Sequence, residues 1–173
     1  MIGKKDIEQY FPELQWIKDE DLRKKVVNVW VEAAKRGGWK SLSDVPFTLL
    51  FEKSGLLTDH TKRVVKLAKN VFDARTEDIN KDQLIAGALL HDVGKLLEYE
   101  LRDDGRVTKS EFGKKFRHPV SGSNLAKEYD LPEEVVHIIY AHSKEGDIIQ
   151  RSLEAIIVNH CDFIDFEIKK SLV

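Results

Sequence analysis

The sequence is poor in the features that mark secreted and membrane-spanning proteins. It has one cysteine, Cys161, so no disulfide can form within the chain, which favours a reducing compartment. No apolar run approaches the roughly 20 residues of a membrane span, and the first residues lack the apolar centre of a signal peptide. Acidic residues (30) slightly outnumber basic ones (28), so no overall basic excess indicates duplex DNA. We therefore expect a cytoplasmic protein that binds neither membranes nor duplex DNA.

The apolar residues that are present suffice for one core and recur mostly at helical spacing. Hydrophobic residues make up 42% of the 173 residues, which supports a single domain over 1–173, because two domains would each be small. The prediction is a mainly all-α fold, with extra helices in residues 1–56 before a core at 57–170. Helices are predicted between Asp21 and Lys35, from a cap at Thr58 or Asp59, over 81–97, after Pro119 with His118 as cap, after Pro132, and over about 150–169.

One segment departs from helical periodicity. In residues 98–110, two short extended runs flank Asp104–Gly105, a common turn signal for a β-hairpin. The sequence therefore predicts one small hairpin within the helical domain.

Residues 86–100 read AGALLHDVGKLLEYE, an apolar helical run that ends in His91 and Asp92. Gly94 and Lys95 follow, a poor helix former and a charge. The small residues at 86–88 predict close packing of a neighbouring helix. The polar pair either marks an ordinary helix end or holds a metal ion, and the rest of the chain decides between these readings.

Six ionisable side chains on five predicted elements are expected to point inward. Any one alone is more often a core or surface group, but a buried carboxylate needs a partner that offsets its desolvation. Imidazole and carboxylate suit iron, manganese, cobalt, nickel or zinc, and six ligands fit two metals that share a carboxylate. His137 and His160 are rotated off these inward faces, so we expect them to bind no metal. The six candidates are His60, His91, Asp92, His118, His142 and Asp162.

The order of these residues resembles the HD-domain metal-dependent phosphohydrolases. HDVGK is similar to the family signature HD-x-x-K, HPVSG at 118–122 adds to the match, and the resemblance runs from about Leu57 to Glu167. It implies a helical HD-domain bundle, with Asp92 bridging two metals. The first metal would be held by His60, His91, Asp92 and Asp162, and the second by Asp92, His118 and His142.

The resemblance also implies an activity and a cofactor. Two divalent transition-metal ions, with Fe or Mn favoured over Ni, Co, Zn or Mg, would generate a bridging hydroxide that attacks phosphorus. The substrate would be a small phosphoester or phosphoanhydride, with a nucleotide expected. Asp92 and Lys95 are the candidate catalytic residues, and Lys95 and Arg63 the candidate substrate contacts. Gly94 is expected to clear the approach of the substrate.

Three other functions stay open at this point. One is 3′–5′ exoribonuclease activity, since some HD proteins with a hairpin after HD-x-x-K degrade RNA. A second is a di-iron oxygenase, because the same ligand order serves such an enzyme. The third is a metal-bearing regulatory module without turnover.

Overall fold

The computed structural model describes residues 2–173, which form helices packed around one central helix. Short 3₁₀ helices cover Pro12–Trp16, Leu42–Asp44 and Lys144–Ile148. The α-helices and strands are α1 (Lys4–Tyr10), α2 (Glu20–Arg36), α3 (Leu57–Asp73), α4 (Lys81–Leu90), α5 (Lys95–Glu98), β1 (Tyr99–Leu101), β2 (Val107–Lys109), α6 (His118–Glu128), α7 (Glu133–Ala141) and α8 (Leu153–Ser171).

The central helix is α4, which packs against α2, α3, α7 and α8. Every residue from Leu84 to Leu90 is buried, as an all-round apolar helix must be. A Cβ atom on Gly87 would lie 2.6 Å from Ile138 Cγ2, so the small residue lets α7 approach α4 closely, as its sequence predicts. The buried apolar side chains form one cluster from Ile7 in α1 to Cys161 in α8.

The predicted helix over 81–97 is interrupted, and this expectation was wrong. It divides into α4 and α5 at a tight turn over residues 91–94, where Val93 N donates to Leu90 O at 3.0 Å and Lys95 N donates to Asp92 O at 2.9 Å. The start of α6 packs against this turn, and a Cβ atom on Gly94 would lie 2.8 Å from Ser121 Oγ and collide with the His118 carbonyl. Gly94 therefore admits α6, which is a different role from clearing a substrate path.

Two tryptophans of the N-terminal extension, residues 1–56, cover the ends of these helices. Trp30 Nε1 donates to Leu89 O at 3.1 Å, and Trp39 Nε1 donates to Leu96 O at 2.8 Å. Carbonyls at helix ends lack intrahelical partners, so the indoles satisfy groups that burial would otherwise leave unpaired.

The hairpin is confirmed, and the helix starts differ by a few residues from the predictions. β1 and β2 pair antiparallel, and Gly105 takes φ +81° in the turn between them. The residue before α3 is Leu56, without a side-chain cap, and Arg117, not His118, precedes α6. The last helix, α8, begins at Leu153 behind a Ser152 cap. Across residues 2–173, no helix has the length and apolar character needed to cross a membrane.

Candidate metal centre

The six candidate ligands converge where α3, α6, α7 and α8 meet the end of α4. His60 comes from α3, His118 from the first residue of α6, and Asp162 from the middle of α8. His91 and Asp92 begin the tight turn after α4, and His142 directly follows α7. On α3 and α8 the apolar stripe faces the core and carries His60 and Asp162 inward with it.

Four of these residues form a first donor set, defined as His60, His91, Asp92 and Asp162. His60 Nε2 lies 3.1 Å from Asp162 Oδ1, 3.3 Å from Asp92 Oδ2 and 3.1 Å from His91 Nε2. His91 Nε2 lies 3.5 Å from Asp92 Oδ2. One nitrogen or oxygen of each side chain thus points to a common centre.

Asp92, His118 and His142 form a second donor set. His118 Nε2 lies 3.1 Å and His142 Nε2 3.5 Å from Asp92 Oδ1. The two carboxylate oxygens of Asp92 therefore face different sets. This is the geometry by which one aspartate can bridge two cations.

All four histidines are oriented through the ring nitrogen that faces away from the centre. His91 Nδ1 donates to Ala88 O and His142 Nδ1 to Ile139 O, both at 2.7 Å. His60 and His118 donate from Nδ1 to carboxylates. A neutral imidazole with Nδ1 protonated keeps a lone pair on Nε2, and metal-binding histidines commonly have their other nitrogen held in this way.

A second observation also indicates that these donors suit metal ions. Asp92 Oδ1 and His142 Nε2 are buried and have no hydrogen-bond partner. An unpaired buried polar atom costs about 1–3 kcal/mol, so two of them facing each other need a common partner. A divalent cation at the second donor set satisfies both.

Charge in the first donor set is distributed unevenly between its two histidines. Burial lowers the pKa of His60, but hydrogen bonds to carboxylates, led by Asp162, outweigh it and raise that pKa to about 9. Burial lowers the pKa of His91 to about 4, against the attraction of Asp92. At neutral pH without a bound cation, His60 would therefore be an imidazolium with protons on both Nδ1 and Nε2, and a cation would displace the Nε2 proton on binding.

Lys95 lies beside the shared carboxylate and is itself buried. Its Nζ donates to Asp92 Oδ2 at 2.6 Å and to Phe47 O at 2.9 Å. Burial would lower the pKa of Lys95, but the charge of Asp92 raises it, so the ammonium stays protonated. Lys95 thus keeps a positive charge next to the donors without being able to ligate a metal.

A cavity of about 410 Å³ gives access to the donors, and its walls carry both cations and apolar side chains. Asp92, His118 and Asp162 are among its lining residues. The size lies within the range of small-molecule sites. The basic lining residues are Lys95, Lys109, Arg117, Lys144 and Lys170, and the large apolar ones are Phe47, Leu49, Leu50, Tyr99, Phe163 and Phe166.

Phe47 joins the N-terminal extension to the site, which sequence reasoning missed. Its ring stacks on the His60 imidazole with centroids 3.8 Å apart, and its carbonyl accepts the Lys95 ammonium. The backbone is fixed on both sides of this loop, since Phe47 N donates to Gly55 O at 2.8 Å and Leu57 N donates to Val45 O at 3.0 Å. Nothing in the local sequence distinguishes Phe47 from an ordinary core residue.

Arg63, predicted as a substrate contact, pairs with a carboxylate of α8. Its Nε donates to Asp165 Oδ1 at 2.5 Å and its Nη2 to Asp165 Oδ2 at 3.0 Å. The side chain does not line the cavity described above. Its contact with substrate stays a prediction, while the observed partner is the carboxylate behind His60.

Sequence reasoning also missed two buried carboxylates, Asp165 and Glu98. Asp165 follows Asp162 by three residues on α8, and Glu98 follows Lys95 by three residues on α5. Both spacings put the acid one turn beyond a site residue on the same face. That spacing was the feature of the sequence that could have identified both acids.

The two remaining histidines lie outside both donor sets. His137 Nε2 accepts from Ser152 N at 3.2 Å at the start of α8, and His160 is exposed. Cys161 is buried, and burial raises the pKa of its thiol to about 11, as expected of a small core residue.

Known proteins similar to this chain include an archaeal phosphodiesterase. Dihydroneopterin 2′,3′-cyclic phosphate phosphodiesterase of Methanocaldococcus jannaschii is 32% identical over 164 residues, which cover 88% of this chain and 66% of that protein. Ribonuclease Y of Acidothermus cellulolyticus is 36% identical over 78 residues, 45% of this chain and 13% of the enzyme. Ribonuclease Y of Thermoanaerobacter pseudethanolicus is 30% identical over 89 residues, 50% of this chain and 15% of the enzyme.

The chain therefore spans just under two thirds of the archaeal relative and a small part of each ribonuclease. No solved structure matches it significantly. The family model of the HD domain matches residues 57–166, more than half of the chain, and this range contains all six candidate ligands. The chain belongs to the HD domain family.

Proposed function

We propose that this protein is a metal-dependent phosphohydrolase that cleaves a phosphoester bond in a small phosphorylated compound. The six candidate ligands would hold two divalent metals, of which iron or manganese is favoured. The observation that carries the proposal is the set of four imidazoles, each fixed through Nδ1, with Nε2 atoms converging on the two oxygens of Asp92. Such an arrangement supports a bridged two-metal centre rather than a polar core.

When bound, the two ions would supply an activated water and neutralise charge on the phosphoryl oxygens. The chain itself would position the substrate and stabilise the charge that grows on its phosphate. Lys95 lines the cavity with an ammonium that the charge of Asp92 keeps protonated, and it can pair with a phosphate oxygen as charge grows in the transition state. Its two protein partners, Asp92 Oδ2 and Phe47 O, leave one N–H for substrate.

For the substrate, we favour a compact phosphodiester that bears a ring. The cavity volume of about 410 Å³ suits one small molecule, and Phe163 and Phe166 can contact a flat ring while basic residues attract the phosphate. The name of the archaeal relative makes dihydroneopterin 2′,3′-cyclic phosphate the first compound to test. A nucleotide, expected from the sequence, remains the second.

RNA is the third candidate substrate. Similarity to ribonuclease Y over about half of the chain favours it, as do the basic side chains of Lys109, Arg117 and Lys144 on the cavity wall. Two of these cations are already paired, Lys109 with Glu98 and Arg117 with Glu145. We therefore rank RNA below a small diester.

The experiment is metal analysis of the purified protein followed by a substrate panel. We expect two ions per chain in the wild type, and one in a His118→Ala/His142→Ala variant. The panel contains the pterin cyclic phosphate, 2′,3′-cyclic nucleotides, nucleoside mono- and triphosphates, and an end-labelled oligoribonucleotide. A wild type that never holds more than one ion would overturn the two-metal centre. Full loading without hydrolysis of any compound would overturn the activity and favour a regulatory module.

Oxygen consumption with a non-phosphorylated polyol would instead identify an oxygenase.

Three expectations from the sequence stay predictions. They are the cytoplasmic location, the division into an N-terminal extension and an HD core, and the lack of duplex DNA and membrane partners. The single cysteine supports the location, and the near balance of charges supports the lack of a duplex DNA partner.

A further inference from the structure

Two buried carboxylates lie behind the candidate metal centre, one behind each donor set. Asp165 Oδ2 accepts from His60 Nδ1 at 2.7 Å, and Glu98 Oε2 accepts from His118 Nδ1 at 2.9 Å. The other histidine of each set donates to a backbone carbonyl. Each set therefore combines one imidazole backed by a carboxylate with one backed by a neutral carbonyl.

Each carboxylate is held on its far side by a cation. Asp165, whose side chain is 8% exposed, accepts two N–H groups from Arg63. Glu98, whose side chain is 5% exposed, lies 3.0 Å from Lys109 Nζ and also accepts from the backbone N–H of His118 at 2.7 Å. These contacts fix both oxygens of each acid, so each acid in turn fixes the ring that donates to it.

The chemical consequence differs between a carboxylate and a carbonyl. A carboxylate that accepts from Nδ1–H makes the Nε2 lone pair more basic as well as fixing the ring, and it strengthens the bond of that imidazole to a metal. We infer that Asp165 and Glu98 are positioning residues that set metal affinity separately, Asp165 for the first donor set and Glu98 for the second. The inference rests on the proposed two-metal centre.

The same geometry assigns a role to Arg63. Its guanidinium orients Asp165 and so acts on His60 through one intermediate residue. Removing Arg63 leaves the Asp165–His60 hydrogen bond in place, so its effect on metal affinity should be smaller than that of removing the Asp165 charge. A direct substrate contact would instead change KM at full metal occupancy.

The test measures Co²⁺ affinity in two single-site backgrounds of the full chain. The His118→Ala/His142→Ala background retains the first donor set, and there Asp165→Asn should weaken binding by about 10- to 100-fold. Glu98→Gln is the matched control in that background, because its histidine is absent, and should change affinity less than about threefold, within ordinary context dependence. In a His60→Ala background the two roles exchange, with Glu98→Gln weakening binding and Asp165→Asn serving as control.

The visible absorption of bound Co²⁺ and the thermal midpoint of the metal-free protein separate positioning from general destabilisation. Equal losses for both acids in either background, or affinity unchanged by both, would overturn the inference. If the wild type binds two ions but neither acid acts only on its own donor set, the inference alone is refuted. If the wild type binds no ion, the proposed centre is refuted as well. If Asp165→Asn fails to fold, Arg63→Met carries the test, with a smaller loss expected in the first background only.

Discussion

Residues 57–166 and the N-terminal extension meet at the turn that holds His91 and Asp92, and they contribute different kinds of groups. The HD domain provides all six candidate ligands as side chains, three from helices α3, α6 and α8 and three from the residues that directly follow α4 and α7. The extension contributes the Phe47 carbonyl, the Phe47 ring and two indole N–H groups, none of which is a usual metal ligand. Both regions nevertheless belong to one buried apolar cluster.

Candidate ligands and the groups that support them are therefore separated along the chain. The tight turn after α4 leaves carbonyls at Leu89 and Leu96 that the helices themselves do not satisfy, and the extension pairs both. Its Phe47 carbonyl also accepts a hydrogen bond from Lys95, whose other partner is Asp92. Changes in the HD domain should therefore remove metal or turnover, whereas changes in the extension should mainly lower stability.

The largest effect is expected for Asp92→Asn. An amide has one carbonyl oxygen and no charge, so it cannot bridge two cations. We expect loss of both ions under loading that saturates the wild type, and a fall in hydrolysis of at least about 10³-fold, since metals contribute several kcal/mol to such reactions. Elemental analysis and initial rates check this. Asp59→Asn, an exposed neighbour of His60, is the matched control and should keep both ions. Retention of two ions by Asp92→Asn would contradict the bridging role.

A smaller effect is expected for Lys95→Met, which tests where the two regions touch. The substitution keeps much of the aliphatic stem and removes the charge between Asp92 and Phe47 O. Metal content should survive, and kcat should fall by roughly 10²-fold, as for loss of a charge-assisted contact made mainly in the transition state. Lys127→Met, an exposed change on α6, controls for surface charge. Near-normal turnover by a folded, metal-replete variant would exclude this role, and loss of metal would make Lys95 a support for Asp92 instead.

The division between regions also explains what could be predicted from the sequence. His142 and Asp162 follow apolar residues at helical spacing, so their inward direction depends only on local periodicity. The break after α4 depends on how closely α6 packs on Gly94, and the stacking of Phe47 on His60 depends on a loop in another part of the chain. Such contacts are tertiary, and no local pattern encodes them.

A still smaller effect, on stability alone, is expected for a substitution in the N-terminal extension. Trp39→Phe removes the donor to the buried Leu96 carbonyl, and an unsatisfied buried acceptor costs about 1–3 kcal/mol. Metal content should not change, and kcat should stay within a few-fold of wild type, because neither Trp39 nor its hydrogen-bond partner Leu96 belongs to a donor set. Denaturant unfolding at equal metal loading measures the loss. Trp16→Phe is the control, since that half-buried indole makes no hydrogen bond to another described residue. An equal loss in both variants would mean that ring volume, not the hydrogen bond, matters.

The smallest effects are expected for His137→Ala and His160→Ala, which test whether the donor sets are limited to six residues. His137 accepts one hydrogen bond from Ser152 N at the start of α8, so its loss should lower the free energy of unfolding by about 1 kcal/mol. His160 is exposed, and its substitution should leave stability within experimental error. Both variants should keep two ions per chain and wild-type turnover. Loss of an ion from His160→Ala alone would mean that α8 presents a different face to the centre, and it would remove the basis for assigning Asp162 to the first donor set.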